Sequence, residues 1–228
     1  MNQIRIAPSI LAWDLGDLER AVAISVEGKA DQVHLDVIDG HFAPNITFGP
    51  GTVKALRRRC DLKFDTHLMI ENPHLYVEKF LAAGSDLLTF HAEVLSGKSF
   101  DELHGIVSSK GKEVGLALKP ETPFPDWAAE RLDRISTVVV MTVNPGFSGQ
   151  TMDMSVMPKL KKMSDIVEEK GLKTDIEVDG GVEPENVQEV VKRGGNVLVA
   201  GAGVFGKKDP VGAIAALRGK AEMVRRSG

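Results

Sequence analysis

The sequence predicts an α/β fold in which eight strands and the helices between them form a single (β/α)8 barrel over residues 1–228. Short apolar runs alternate with amphipathic stretches from one end of the chain to the other. Neither a linker nor a low-complexity segment interrupts this alternation. A chain of 228 residues, 43% of them hydrophobic, is also the size of one α/β-barrel domain.

Eight runs have the length and the apolar, β-branched composition of buried parallel strands. The predicted strands span residues 5–10, 32–37, 63–69, 87–91, 113–118, 137–143, 175–178 and 197–200. Between them, apolar residues recur with helical spacing. The predicted helices span residues 14–27, 73–83, 99–109, 155–169, 184–193 and 210–225.

Proline and glycine positions support these helices. Pro73 and Pro184 fit the first turn of their helices, where a missing N–H removes no hydrogen bond. The expected helix ends are marked by Gly28, Gly84, Gly111, Gly171 and Gly194.

An open doubly wound sheet is the alternative arrangement of the same elements. In dinucleotide-binding sheets of that type, a Gly-x-Gly-x-x-Gly motif follows the first strand. Here Ala7-Pro8-Ser9 occupies that region. The sequence therefore favours the barrel.

Charge and cysteine content exclude several classes of protein. A net charge of −4 and a pI of about 5.9 argue against nucleic acid or an anionic membrane as a partner, and the basic run 57–59 is interpreted as a solvated helix end. Cys60 is the single cysteine, so no intrachain disulfide can form. Neither a bilayer-spanning apolar run nor the apolar core of a signal peptide is present, so we expect a cytoplasmic protein.

Charged residues alternate with apolar residues along several predicted strands. In the second strand, His34 and Asp36 share one face and three apolar residues share the other. The same alternation surrounds His67 in the third strand and leads to Asp179 at the end of the seventh. Isolated buried charges are very costly, so these inward-facing groups need mutual pairing or a metal ion.

A candidate metal site follows from the places where these strands end. His34, Asp36, His67 and Asp179 lie at the ends of three predicted strands, where barrel active sites gather. Two imidazoles and two carboxylates suit one divalent metal ion, with zinc, iron, cobalt and manganese left open. His91 ends the fourth strand and is retained as a residue that supports a ligand. The remaining histidines are interpreted as turn or surface residues: His41, His74 and His104.

Three glycine-rich loops form a second group of candidates. Residues 144–149 follow the sixth strand, residues 180–181 the seventh and residues 201–203 the eighth. Glycines let backbone N–H groups approach an anion closely, and barrel phosphate sites often use the last two of these loops. A phosphate site beside a metal site suggests a phosphorylated keto-sugar. On such a substrate, a metal ion can stabilise an enediolate, and two carboxylates on opposite sides of the carbon can invert a stereocentre.

The same residues match a known family over essentially the whole chain. The matching stretches are residues 7–11, 34–42 with 44–45, 65–69, 140–147 and 177–181. The sequence resembles the ribulose-phosphate 3-epimerases, which are TIM-barrel enzymes of the ribulose-phosphate-binding type. The resemblance implies metal-dependent interconversion of D-ribulose 5-phosphate and D-xylulose 5-phosphate, an isomerase reaction of the pentose phosphate pathway. We also expect a homo-oligomer.

The resemblance implies a role for each site residue. His34, Asp36, His67 and Asp179 would bind the metal, and Asp36 and Asp179 would also be the two acid–base catalytic groups. Substrate contacts are expected from Ser9, His67, Met69, Met141, Gly146, Phe147, Ser148, Gly149, Gly180, Gly181, Gly201 and Ala202.

Three residues depart from the pattern of the family. Ile38 stands where a third methionine is frequent, Ser148 where glycine is common, and Ala202 where serine is common in the last phosphate loop. Ala202 lacks a hydroxyl donor but keeps its backbone N–H. None of the three is an expected metal ligand, so we expect the protein to be catalytically active.

Three other functions fit parts of the pattern. Allulose-6-phosphate 3-epimerases perform the same chemistry on a longer sugar, and the sequence leaves the sugar length open. Related decarboxylases and hexulose-phosphate synthases carry Asp-x-Lys-x-x-Asp. Residues 61–65 fall one residue short of that motif, and Lys63 is interpreted as an interior charge partner. The third alternative is a non-catalytic sugar-phosphate binding protein, against which the intact ligand set argues.

Overall fold

The computed structural model describes residues 2–226, in which eight strands form one parallel sheet. The strands are β1 (Arg5–Pro8), β2 (Gln32–Ile38), β3 (Lys63–Met69), β4 (Leu87–His91), β5 (Glu113–Leu118), β6 (Thr137–Met141), β7 (Asp175–Asp179) and β8 (Val197–Ala200). From β2 to β8 each strand pairs in parallel with the next, and β8 pairs with β1.

The barrel closes between β1 and β2. Ser9 and His34 form a parallel bridge just beyond the end of β1. Below this bridge, Asp31 N–H donates to the Ile6 carbonyl at 3.1 Å, and Ile6 N–H donates to Asp31 Oδ2 at 2.7 Å. The closure confirms the predicted (β/α)8 TIM barrel and excludes the open sheet.

Helices lie between and after the strands. They are α1 (Leu18–Glu27), α2 (Pro50–Arg57), α3 (Val77–Ala83), α4 (Gly97–Ser108), α5 (Asp126–Ala129), α6 (Met157–Glu169), α7 (Val187–Lys192), α8 (Ala202–Phe205) and α9 (Pro210–Arg226). The sequence analysis did not predict α2, which begins at Pro50 and buries Val53 and Leu56. No helix of residues 2–226 is long and apolar enough to cross a membrane.

Four predicted helices begin later than their sequence pattern suggested, at Leu18, Val77, Met157 and Val187. The helix expected from residue 14 begins at Leu18, because the Asp17 carboxylate accepts a hydrogen bond from Arg20 N–H and caps the first turn. The helix expected from Pro184 begins at Val187. Before it, the Asn186 side chain bonds to the backbone of the preceding loop.

Two of the strands that end at other residues than predicted, β1 and β2, affect the position of the site. β2 continues to Ile38, so His34 and Asp36 lie within the strand rather than at its end. β1 stops at Pro8 instead of residue 10, because Ile10–Ala12 turns into a short 3-10 helix. Ser9 consequently lies at the bend, beside β2.

The hydrophobic core lies between the strands and the helices. Outward-facing strand residues such as Val33, Leu35, Phe64 and Leu68 are almost completely buried there. Burying each side chain of this kind stabilises the fold by about 1.5–3 kcal/mol. The opposite face of the same strands is thereby left for the polar groups inside the barrel.

Candidate active site

Four polar side chains from three strands converge near the carboxyl ends of the strands. His34 Nε2 lies 3.3 Å from Asp36 Oδ1 and 3.7 Å from Asp179 Oδ2. His67 Nδ1 lies 3.4 Å from Asp179 Oδ2 and 3.7 Å from Asp36 Oδ1. One atom from each of the four residues thus falls within 4.8 Å of the others. The structure brings together the four residues that the sequence analysis selected as metal ligands.

Two imidazole nitrogens of this cluster fit a divalent cation. His34 Nε2 and His67 Nδ1 are buried and have no hydrogen-bond partner, a condition that costs about 1–3 kcal/mol for each atom unless a ligand occupies it. The nitrogen–oxygen distances of 3.3–3.7 Å match the roughly 3.3 Å between two ligands bound tetrahedrally at about 2.0–2.1 Å. The cluster could therefore hold a metal ion.

A layer of polar residues lies beneath His34 in the barrel interior. His34 Nδ1 is 2.8 Å from Asp65 Oδ2, and Gln32 Nε2 donates to the same oxygen at 2.9 Å. Burial alone would lower the pKa of His34, but Asp36 and Asp65 outweigh it and raise that pKa well above its usual value. Burial and the charge of Asp65 raise the pKa of Glu177 well above its usual value.

Asp36 and Asp179 are the members of the cluster that reach the pocket above it. Asp36 Oδ2 accepts a hydrogen bond from the Ser9 hydroxyl. Burial alone would raise the pKa of Asp36, but His34 and His67 lower it to about 2, so this carboxylate is ionised at neutral pH. Only 13% of the Asp179 side chain is exposed, and this part faces the pocket.

His91 lies behind His67, where the sequence analysis expected a supporting residue. The two Nε2 atoms are 2.9 Å apart, and His91 Nδ1 lies 2.8 Å from Glu93 Oε2. Burial lowers the pKa of His91 to about 4, so its ring is neutral at pH 7. Burial alone would raise the pKa of Glu93, but the hydrogen bond to His91 lowers it to about 2.

One pocket at the mouth of the barrel contains nearly all the predicted substrate contacts. The predicted residues that line it are Ser9, Asp36, Met69, Met141, Gly146, Phe147, Ser148, Gly149, Asp179, Gly180, Gly181, Gly201 and Ala202. His34 and His67 are fully buried beneath these residues. The sequence analysis missed Leu11, Gln150 and Glu183, which also line the pocket. Leu11 lies in the short 3-10 helix after β1, and Gln150 and Glu183 lie in loops; no periodic pattern indicates the course of these segments.

The glycine-rich wall of this pocket is formed by backbone atoms and not by basic side chains. The residues that line it include neither lysine nor arginine. Gly181 has a φ of +62°, and a Cβ there would lie 2.5 Å from Met152 N. A Cβ at Gly203 would lie 2.3 Å from the Val182 carbonyl oxygen. Glycine is required at these positions for the loops to pack closely around the pocket.

The other residues that the sequence analysis discussed lie outside the His/Asp cluster. His41 is in a turn, where its N–H donates to Asp39 Oδ1 at 2.8 Å, and the His74 side chain is 39% exposed. His104 contacts Arg134. Lys63 does form an ion pair, with Glu113 at 2.6 Å, but its side chain is 23% exposed. The expected charge pairing of Lys63 is therefore present, but it lies at the end of the barrel that opens to solvent, because Lys63 is the first residue of β3.

The fold and the site together define a class: a (β/α)8-barrel enzyme with a His/Asp cluster that could hold a metal ion beneath a glycine-lined pocket. Residues 5–205 match the Ribulose-phosphate 3 epimerase family. A ribulose-phosphate 3-epimerase of Bacillus subtilis (strain 168) is 43% identical over 220 residues, which cover 95% of this chain and 99% of the relative. One from Synechocystis sp. is 39% identical over 95% of this chain and 94% of the relative. The chain belongs to the ribulose-phosphate 3-epimerase family.

A solved structure shows the same fold at low sequence identity. KGPDC from Streptococcus mutans superposes with a TM-score of 0.74 at 15% identity, and the match covers 98% of this chain and 99% of that one. At this identity the similarity concerns the barrel alone.

Proposed function

We propose that this protein is an isomerase that interconverts D-ribulose 5-phosphate and D-xylulose 5-phosphate at C3, using one divalent metal ion. The observation that carries the proposal is the placement of Asp36 and Asp179. Both carboxylates reach the floor of one pocket, and each lies within 3.7 Å of the unpartnered nitrogens of His34 and His67. Family membership supports the same reaction.

His34, Asp36, His67 and Asp179 would hold the metal, whose identity among zinc, iron, cobalt and manganese stays open. When bound, a divalent cation supplies Lewis-acid stabilisation of the negative charge that develops on the substrate oxygens. The two histidines offer neutral nitrogen ligands, and the two aspartates offset the charge of the cation.

Asp36 and Asp179 are proposed as the two acid–base groups. One carboxylate takes the proton from C3, and the electron pair of the broken C–H bond moves into the carbonyl group to give an enediolate. The other carboxyl group, which is protonated at that stage, then gives its proton to C3 from the opposite face as the ketone re-forms, which inverts the configuration. The Ser9 hydroxyl orients Asp36 through its hydrogen bond to Oδ2.

The remainder of the pocket is proposed to bind the substrate. The residues from Gly146 to Gly149, together with Gly180, Gly181, Gly201 and Ala202, would hold the phosphate end through backbone N–H groups. Met69 and Met141 line the wall near the carboxylates and present apolar, polarisable sulfur to the reacting carbon. We also propose that the protein is a homo-oligomer and that it is located in the cytoplasm.

A substrate panel tests this function. The metal-reconstituted protein would be assayed for turnover of both pentulose phosphates and of allulose 6-phosphate. We expect turnover of the two pentulose phosphates in both directions and weaker turnover of the hexulose. A strong preference for the hexulose would assign the longer sugar as substrate. Binding without any turnover would indicate a sugar-phosphate binding protein.

A further inference from the structure

A chain of hydrogen bonds leads from the barrel wall to one proposed metal ligand. Lys119 N–H donates to Glu93 Oε1 at 2.8 Å, and Glu93 Oε2 lies 2.8 Å from His91 Nδ1. His91 Nε2 lies 2.9 Å from His67 Nε2, and His67 Nδ1 faces the carboxylates of the cluster. Three consecutive side chains thus connect a backbone amide to the site: Glu93, His91 and His67.

The contact between His91 and His67 is a hydrogen bond rather than ring stacking. The ring planes are inclined by only 14° and their centroids are 5.0 Å apart. Because the two Nε2 atoms are only 2.9 Å apart, the rings meet edge to edge. Both rings are fully buried, and Phe42 packs against His91 at 4.4 Å between centroids. Water has no access to this contact, so one ring must donate and the other must accept.

The backbone amide and the carboxylate at the start of the chain together decide the direction of its bonds. A backbone N–H can only donate, so Glu93 Oε1 accepts from Lys119. The ionised Glu93 carboxylate can only accept, so His91 Nδ1 carries the proton. In the neutral form of this ring, Nε2 has a lone pair and accepts from His67 Nε2–H. His67 is therefore left with an unprotonated Nδ1 facing the cluster.

We propose that Glu93 and His91 are positioning residues that fix the tautomer of His67, so that its Nδ1 lone pair is presented to the metal. The role in catalysis rests on the proposed function, whereas the tautomer follows from the hydrogen bonds alone. His91 lies on β4 and Glu93 just after it; β4 carries none of the four ligands and pairs directly with β3, which carries His67. Partners of this kind orient ligating histidines, and their loss typically lowers metal affinity about 10–100-fold.

Glu93→Gln is the variant that tests the direction of the chain. The Lys119 N–H keeps the amide oxygen of Gln on its own side, so the NH2 group turns towards His91 Nδ1. His91 must then accept at Nδ1 and donate from Nε2, and His67 must accept at Nε2 and carry its proton on Nδ1. We expect zinc affinity to fall about 10–100-fold, measured by competition with a chelator.

Glu113→Gln is the matched control. This substitution also converts a carboxylate into an amide, but at the start of β5. The partner of Glu113 there is Lys63, and no proposed metal ligand is near. We expect zinc affinity within about twofold of that of the unmodified protein, because no member of the chain changes. An equal loss of affinity in both variants would contradict the proposal.

Two variants of His91 separate hydrogen bonding from packing. In His91→Gln, the amide oxygen can accept from His67 Nε2–H, whereas His91→Leu offers no acceptor. We expect His91→Gln to bind zinc more tightly than His91→Leu by at least fivefold. Equal affinities would show that His91 acts only by filling space and would overturn the proposed role.

Histidine tautomers can be read directly in the unmodified zinc-loaded protein by two-bond proton–nitrogen NMR correlations. We expect the proton on Nε2 of His67 and on Nδ1 of His91, and reversal of the His91 tautomer in Glu93→Gln. A proton on His91 Nε2 in the unmodified protein would overturn the proposal even if every variant misfolds. Since neither readout needs turnover, an inactive protein with the expected tautomers would contradict the proposed function and leave this inference intact.

Discussion

The Nδ1 atom of His34 lies 2.8 Å from Asp65 Oδ2, at the centre of the barrel. When the ring is neutral, as in a metal complex, this contact places its proton on Nδ1 and leaves Nε2 unprotonated, 3.3 Å from Asp36 Oδ1. Asp65 therefore determines which nitrogen His34 can offer to a metal. Both proposed imidazole ligands thus depend on carboxylates outside the cluster, His34 directly and His67 through His91.

Asp65→Asn is predicted to weaken metal binding. The uncharged amide accepts a weaker hydrogen bond from His34. The His34 proton is therefore held less strongly on Nδ1. We expect zinc affinity to fall roughly 10–100-fold in a chelator competition titration. Asp61→Asn, an exposed change just before β3, is the control and should bind zinc normally. Unchanged affinity in Asp65→Asn would show that His34 is oriented in some other way.

Asp179→Asn is predicted to abolish exchange of the C3 proton with solvent. An amide cannot take up a proton at neutral pH, so the rate should fall by at least the 10²–10⁴-fold, in round terms, that general acid–base catalysis contributes. Exchange would be measured by NMR in D2O and normalised to bound metal. The control is Asp165→Asn on the exposed side of α6. Near-normal exchange in both epimers by Asp179→Asn would refute the two-carboxylate mechanism, because Asp36 alone reaches only one face of C3.

Ala202→Ser is predicted to tighten phosphate binding. Ala202 lines the glycine-rich wall of the pocket, and a serine hydroxyl there adds one donor to the proposed phosphate site. One hydrogen bond to a charged group contributes about 1.5 kcal/mol, so we expect KM to fall roughly tenfold. The value of kcat should stay constant, because the phosphate does not react. An increase in KM would place the phosphate elsewhere in the pocket.

Much of the barrel could be predicted because strand and helix patterns are local. The bounds of β3, β4, β5 and β8 agree with the sequence analysis at both ends. The helix α2 was missed because Gly49-Pro50-Gly51 is typical of a turn. Its helical state depends on packing of Val53 and Leu56 against the barrel, and local propensity does not record such contacts.

The cluster was predictable for a different reason. Strand alternation fixes the face of His34, Asp36 and His67, and barrel closure brings their strands together. Glu93 was missed because it lies in the short 3-10 turn after β4, and its contact with His91 depends on the course of that turn. The support given by Asp65 was equally hidden, because a cross-strand contact leaves no trace in the periodicity.

Asp101 is predicted to contribute stability that is lost in acid. Arg131 donates to both of its carboxylate oxygens at 2.9 Å and Arg134 adds a third bond, so the pKa of Asp101 falls from its ordinary value of 3.8 to about 2. A lowered pKa means that the stabilisation is complete above pH 3.8 and disappears as the pH falls towards 2. Urea unfolding should therefore show Asp101→Asn to be less stable than the unmodified protein at pH 7. The difference should shrink at pH 3, and a constant difference would exclude the ionised carboxylate as its cause.

Deuterium incorporation during the first turnovers tests the proposed epimerisation most directly. The metal-loaded protein would convert D-ribulose 5-phosphate in D2O, and the two epimers would be analysed at low conversion. With Asp36 and Asp179 acting from opposite faces, the D-xylulose 5-phosphate formed should carry one deuterium at C3, while the remaining substrate stays unlabelled. Product that retains the original C3 proton, or deuterium that enters both epimers equally from the start, would contradict the account.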